Sequence, residues 1–453
     1  MADSGDSSMT QKLFQVDSQT LANGLHIIRH HRDDSDTFSA QVVVELGLSD
    51  FDCKNKQIPH LLEHMLFEGT ERFDSKTLRQ RVLDHGGKSQ AFTVDEYTHF
   101  TVHVHSDYPQ IAFENLYSMI TESRFSKVSF EKSKQIIHTE QGTSSGAVNP
   151  LWSSAGILTD QAKAQLFSGT QRYCSQLSNP DPINYQTMMN YFRSHYVASN
   201  MTLILIGHFN DQEVNHLIEQ TFAKLPESPK PAATKLAQTN PRYGPIRAKR
   251  PMLNPQADLL LYVPAVGKRH PDYPAFEIIA EYFSEQLFYE VRGEKALGYT
   301  PRARIDANGE LGVLEASTGT SDALLKKAET AFLEMYNQLR TQGISNHNIE
   351  RIKRKLILRF ESKQRDHNHL AQLYRHHREA IKTTGNMPNL VQSLEQVQPD
   401  HIASMLAQFP SQPLVATLVR PPISRAIVYI ILISIVFTGL AWPLLRWIRK
   451  SSG

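Results

Sequence analysis

The sequence predicts an α+β fold of two similar domains, each a mainly antiparallel sheet with helices packed on one face, followed by a C-terminal transmembrane helix. Three observations carry this. Short stretches of loosely alternating apolar and polar residues are interspersed with longer stretches of helical periodicity in both halves of the chain. Between the halves, Pro226, Pro229, Pro231, Pro241, Pro245 and Pro251 punctuate a stretch rich in Lys and Arg. Near the end, residues 426–445 form a run of 20 without a charge.

Residues 1–12 are polar and read as disordered. The first domain is expected over 13–225. Residues 25–31, just after the turn signal Asn23-Gly24, and 37–48 read as strands. Helical patterns follow at 58–67 and 75–85, the second stopped by Gly86-Gly87. Residues 89–93 and 98–105 form a strand pair about a turn. Helices are then expected at 108–122, 129–141 and 183–196, a buried strand at 201–206 and a helix at 212–225. Residues 226–254 have the composition of an extended linker. The second domain, 255–420, repeats the outline. Strands are expected at 259–263, 299–305, 312–317 and 414–419, with helices at 273–291, 323–341 and 348–382.

The run 426–445 spans about 30 Å as a helix, the hydrocarbon thickness of a bilayer. Arg425 precedes it, Arg446, Arg449 and Lys450 follow, and Trp442 and Trp447 stand at interfacial positions. The N-terminus carries neither a secretory signal nor a mitochondrial presequence pattern. The expectation is therefore a single-pass tail anchor in membrane lipid, with the body facing the cytoplasm. A formal net charge of +2 gives no reason to expect nucleic acid as a partner. Cys53 and Cys174 make no disulfide framework and suit a reducing compartment.

The chemistry centres on His60-Leu61-Leu62-Glu63-His64. On a helix, positions i and i+4 share a face, so both imidazoles can reach one ion. Glu63 lies close enough to that face to touch a metal-bound water without ligating the metal. Two imidazoles and a carboxylate suit Zn2+, and a hydrolytic site needs a third protein ligand. The pentapeptide is the reversed form of the zinc-protease motif.

Downstream stand Gly86-Gly87, Gln90-Ala91-Phe92-Thr93, Glu96, Thr98 and Phe100, then Glu140, then the run from Arg292 through Gly293, Glu294 and Gly298 to Tyr299. Together with the pentapeptide they resemble the insulinase, pitrilysin and mitochondrial processing peptidase family of inverzincin zinc metallopeptidases, in its half-length, two-domain form. The likeness runs over most of residues 20–420. It implies one Zn2+ per chain, held by His60, His64 and Glu140, with Glu63 as general base. It implies that Gln90 and Ala91 lie on an edge strand that pairs with substrate backbone, Gln90 replacing the usual Asn. Arg292 and Tyr299 match the pair that grips substrate, Tyr299 also assisting the oxyanion. In half-length members this pair reaches the zinc of a partner subunit, so a homodimer, or a heterodimer with a related subunit, is implied. The family often has a second Glu where this chain has Ser133, a position that tunes metal affinity.

The activity implied is a zinc metalloendopeptidase that hydrolyses peptides or unfolded segments bound along an edge strand in a chamber. The rivals are a precursor-specific enzyme of the same fold and a non-catalytic subunit of a membrane complex. His138 falls on a different helix face from Glu140. His367, His369, His376 and His377 crowd one helical stretch and read as a solvated face, while His103 and His105 share a strand face without a carboxylate at ligand spacing.

Overall fold

The computed structural model describes residues 14–144, 155–168, 170, 173–174, 179–232, 240–249, 256–364, 366–419 and 433. The first domain runs β1 (Asp17–Thr20), β2 (His26–His31), β3 (Thr37–Val44), α1 (Ile58–Leu66), α2 (Ser75–Leu83), β4 (Lys88–Thr93) and β5 (Thr98–His105). It continues with α3 (Pro109–Thr121), α4 (Lys127–Ser144), α5 (Ala155–Leu166), α6 (Tyr185–His195), β6 (Met201–Gly207) and α7 (Asp211–Gln220). The sheet order is β1-β2-β6-β3-β5-β4, with β2 and β6 parallel and every other pair antiparallel. β4 is thus an edge strand. Gly86, at φ +69, ends the turn after α2, and Gly87 then passes so close to the His103 carbonyl that a Cβ would stand 2.0 Å from its oxygen. That approach sets the start of β4.

The second domain has β7 (Ile246–Lys249), β8 (Gln256–Val266), α8 (Tyr273–Leu287), β9 (Arg302–Ala307), β10 (Leu311–Ser321), α9 (Leu325–Gln342) and α10 (Asn346–Ser362). Then come α11 (His367–Thr384), α12 (Leu390–Glu395), α13 (Pro399–Ala407) and β11 (Leu414–Val419). Its sheet order is β7-β11-β8-β10-β9, antiparallel except for β7 with β11. β7 lies within the Pro-rich stretch, so that stretch supplies an edge strand as well as a connection.

Alternation along the central strands buries both faces. On β6, Leu203 and Leu205 join the core under α1 and α3, whereas Ile204 and Ile206 face the other way. The expectation of helices on one face is therefore extended. α11, from the second half of the chain, lays Leu370, Leu373, Tyr374 and Ile381 on Ile28, Val43, Ile204 and Ile206 of the first sheet. Reciprocally, α5 from the first half lays Leu158, Ala162 and Leu166 on Leu260, Tyr262, Leu414 and Ala416 of the second. Each fully buried aliphatic side chain contributes roughly 1.5–3 kcal/mol, so three or four suffice to hold a helix across the boundary. Ion pairs reinforce the exchange: Arg378 of α11 grips the Glu45 carboxylate with two nitrogens, and Lys163 of α5 meets Asp306 at 2.7 Å.

Two expectations are corrected. Cys53 and Cys174 form a disulfide with their Cα atoms 5.8 Å apart, so they no longer argue for a reducing compartment. The fold brings together residues 121 positions apart, a pairing that spacing alone does not reveal. Among the described residues, no helix is long and apolar enough to cross a membrane. The long helices are amphipathic; α9 carries Lys326, Lys327, Glu329, Glu334 and Arg340 opposite its buried stripe. The tail anchor, the lipid partner and the membrane location are withdrawn on that finding. The 426–445 run itself lies outside the described residues except for Ile433, as do residues 1–12.

Candidate metal centre

α1 begins at Ile58 with Pro59 in its first turn, where a missing N–H costs nothing. Ile58, Leu61, Leu62, Met65 and Leu66 are buried against the sheet. His60, Glu63 and His64 occupy the opposite, half-buried face. α4 packs across α1, with Ser133 donating to Met65 Sδ at 3.6 Å and Lys132 bonding Glu68 at 2.8 Å. This crossing brings Glu140 over the histidines.

The three side chains converge. His60 Nε2 and His64 Nε2 are 3.2 Å apart, and Glu140 Oε2 is 3.3 Å from each. A tetrahedral zinc with nitrogen and oxygen ligands at about 2.0–2.1 Å separates its ligand atoms by about 3.3–3.4 Å. The donor set and its spacing therefore fit one zinc ion with a position left open. No other group of three or more His, Cys, Asp or Glu side chains among the described residues could hold a metal. His60 Nδ1 donates to Gln57 Oε1 at 3.0 Å, which leaves Nε2 with its lone pair toward the cluster. Burial, with His64 beside it, pushes His60 down to about 4, so it stays neutral at pH 7.

Glu63 stands next to the cluster and makes no bond to it. Thr93, the last residue of β4, donates its hydroxyl to Glu63 Oε2 at 2.6 Å. Burial lifts the Glu63 carboxyl to about 7, against the Thr93 hydrogen bond, which lowers it; the charge of Glu140 adds to the rise. Tyr196 is buried nearby, and burial together with Glu63 raises its phenol above the ordinary value. Gln57 and Thr93 were not assigned roles from the sequence. The signal was present for both: Gln57 lies three positions before His60, and Thr93 closes the strand run that contains Gln90 and Ala91.

Gln90 and Ala91 lie on the edge strand β4, as expected, and pair with Thr101 and Phe100 of β5. Ala91 packs toward the core, whereas Gln90 is exposed on the other face, away from Glu63. Ser133 is fully buried and turns its hydroxyl to Met65 rather than to the histidines. His138 pairs with Asp181 at 2.8 Å. Arg292 and Tyr299 are brought to each other: the guanidinium donates to the Tyr299 carbonyl and stacks 5.7 Å from the Phe288 ring. They line a separate cavity of about 390 Å³ with Leu297, Thr320 and Leu324, which shares no residue with the histidine cluster. Tyr299 is 60% exposed, free to meet another molecule.

Residues 27–171 match the family model for insulinase, peptidase family M16, and residues 182–356 match that for the peptidase M16 inactive domain. The first match contains all three convergent side chains, and the two together cover well over half of the chain. The chain belongs to the M16 peptidase family. Among its relatives is the probable mitochondrial-processing peptidase subunit beta of Schizosaccharomyces pombe, 25% identical over 58% of this chain and 58% of that protein. Another is an uncharacterized zinc protease, YmxG, of Bacillus subtilis, 22% identical over 76% of this chain and 84% of that one. This M16 chain thus spans a little over half of the first relative's length. In fold it is similar to a protease from Helicobacter pylori, with a TM-score of 0.79 at 15% identity, covering 90% of this chain and 100% of that one.

Proposed function

We propose that this M16 chain is a zinc metalloendopeptidase that hydrolyses peptides or unfolded segments bound along β4. The observation that supports it most is the near-equal spacing of the three donor atoms of His60, His64 and Glu140, with Glu63 free beside them. Bound zinc supplies Lewis acidity toward water and the peptide carbonyl. His60, His64 and Glu140 hold it, and Gln57 fixes the tautomer of His60.

Glu63 accepts a proton from the attacking water and returns it to the leaving amine. Its raised pKa suits a group that must take and give a proton near neutrality. The free backbone edge of β4 pairs with the substrate, giving affinity with little dependence on sequence. Arg292 holds a substrate carbonyl and Tyr299 assists the oxyanion. Because these two line a separate cavity, the reading includes a second subunit, either another copy or a related chain, whose pair completes the site.

The test is Glu63→Gln. The variant is expected to keep about one zinc per chain and to lose cleavage of a quenched peptide library. Equal cleavage by variant and wild type refutes the reading.

A further inference from the structure

Side chains alternate along β4. Ala91 and Thr93 face α1, whereas Lys88, Gln90 and Phe92 face the other way and line a cavity of about 910 Å³ between the two domains. Its floor is the far face of β5 and β3, with His99, His103, Thr101 and Gln41. Its opposite wall is α11, with His369, Arg375 and His376. Three of the histidines that the sequence left without a task thus face one space.

The character of this sheet face changes along its width. Under the middle of α11 it is aliphatic: Ile28, Val43, Ile204 and Ile206. Toward β5 and β4 it becomes polar. Closing polar side chains under a helix without partners costs roughly 1–3 kcal/mol for each; here they border open space instead.

His99 Nδ1, His369 Nε2 and Arg375 Nε are buried in the cavity walls without a hydrogen-bond partner among the described residues. Lys88 and Lys363 form no ion pair among the described residues. Three of the four lining carboxylates are already engaged. Glu96 binds Arg269 at 2.6 Å, Asp306 binds Lys163 at 2.7 Å, and Asp366 accepts from the Asn368 and His369 amides that open α11. Asp95, at the turn between β4 and β5, is the remaining one. Through Lys88 and Lys363 the cavity offers positive charge to whatever enters from β4.

We propose that this cavity is a subsite for acidic side chains, Asp or Glu, of a peptide added to β4. A peptide pairing with an edge strand alternates in register with it, sending every second side chain to each face. One set points toward Glu63; the other enters the cavity, where Lys88 projects from β4 itself and Lys363 stands on the far wall. Specificity then comes from the face of β4 turned away from the metal ligands. The proposal rests on the peptide-binding part of the reading above, and is tested by binding so that it does not depend on turnover.

The experiment uses the full chain carrying Glu63→Gln and two labelled decapeptides, one with Glu and one with Lys at every second position. Fluorescence anisotropy is expected to show the Glu peptide bound about tenfold more tightly, the scale of one charge-assisted hydrogen bond. Adding Lys88→Glu or Lys363→Glu is expected to bring the ratio to one or below. Lys327→Glu, on exposed α9, makes the same change of net charge and is expected to leave the ratio unchanged. Equal binding of the two peptides overturns the proposal. So does a ratio that survives both cavity variants, or one that Lys327→Glu abolishes equally. Cleavage by the chain with native Glu63, measured alongside, reads the hydrolase separately: no cleavage with the acid preference intact refutes the endopeptidase and leaves the subsite standing.

Discussion

The Thr93 hydroxyl lies 2.6 Å from the Glu63 carboxylate, tying the end of the edge strand to the motif helix. The edge strand β4 and the motif helix α1 are thereby held in one register. The same hydrogen bond favours the ionised carboxylate. Glu63 must be ionised to accept a proton, so activity is expected to fall as the pH drops through its pKa, which burial raises and the Thr93 hydrogen bond lowers. Thr93→Val removes the hydrogen bond and raises that pKa. The acidic limb of the kcat/KM profile of the zinc-loaded enzyme is then expected to move upward, by about one pH unit. An unmoved limb would detach Thr93 from the base.

Gln57 accepts from His60 Nδ1. Replacing an outer partner of a ligating histidine typically costs roughly 10–100-fold in metal affinity. Gln57→Leu is expected to weaken zinc binding by that order in a chelator competition, with little change in melting temperature in the absence of metal.

If Arg292 and Tyr299 serve the zinc of a partner, Arg292→Ala and His60→Ala fail for different reasons and complement each other. Each alone is expected to be nearly inactive. Random exchange in an equal mixture gives hybrid dimers with one intact composite site, hence roughly a quarter of wild-type activity. Absence of recovery in exchanged mixtures would argue for self-contained sites or a different partner chain.

Arg378 is 3% exposed and holds Glu45 across the domain boundary. Arg378→Ala leaves that carboxylate without its cation, and a loss of about 3–5 kcal/mol in unfolding free energy is expected. Chemical denaturation would measure it.

The Cys53–Cys174 bond closes a long loop. Cys53→Ser together with Cys174→Ser is expected to cost about 2–4 kcal/mol, and reductant should reproduce that loss in the wild type but not in the double variant.

The candidate metal centre was legible because its parts are local or strongly patterned. The helix expected at 58–67 is observed at Ile58–Leu66, and the strand expected at 89–93 at Lys88–Thr93. Glu140 fell on the expected helix, and its meeting with the histidines follows from α4 crossing α1. What the sequence hid was long-range. The break between α10 and α11 lies inside one continuous periodicity, and only Asp366, accepting from two amides, marks the new start. α5 was not anticipated at all. Its buried Leu158, Ala162 and Leu166 are separated by polar residues and pack on the other domain's sheet. The uncharged 426–445 run suggested a membrane by composition alone, and the described helices offer no span.

The reciprocal loan of α5 and α11 has a consequence for protein engineering. Cutting the polypeptide within 226–245 would not yield two autonomous modules. The N-terminal piece would lack the cover over Ile28, Val43, Ile204 and Ile206, and the C-terminal piece would lack the cover over Leu260 and Tyr262. Expressed apart, such pieces should precipitate; co-expressed, they should recover solubility and co-purify as one particle.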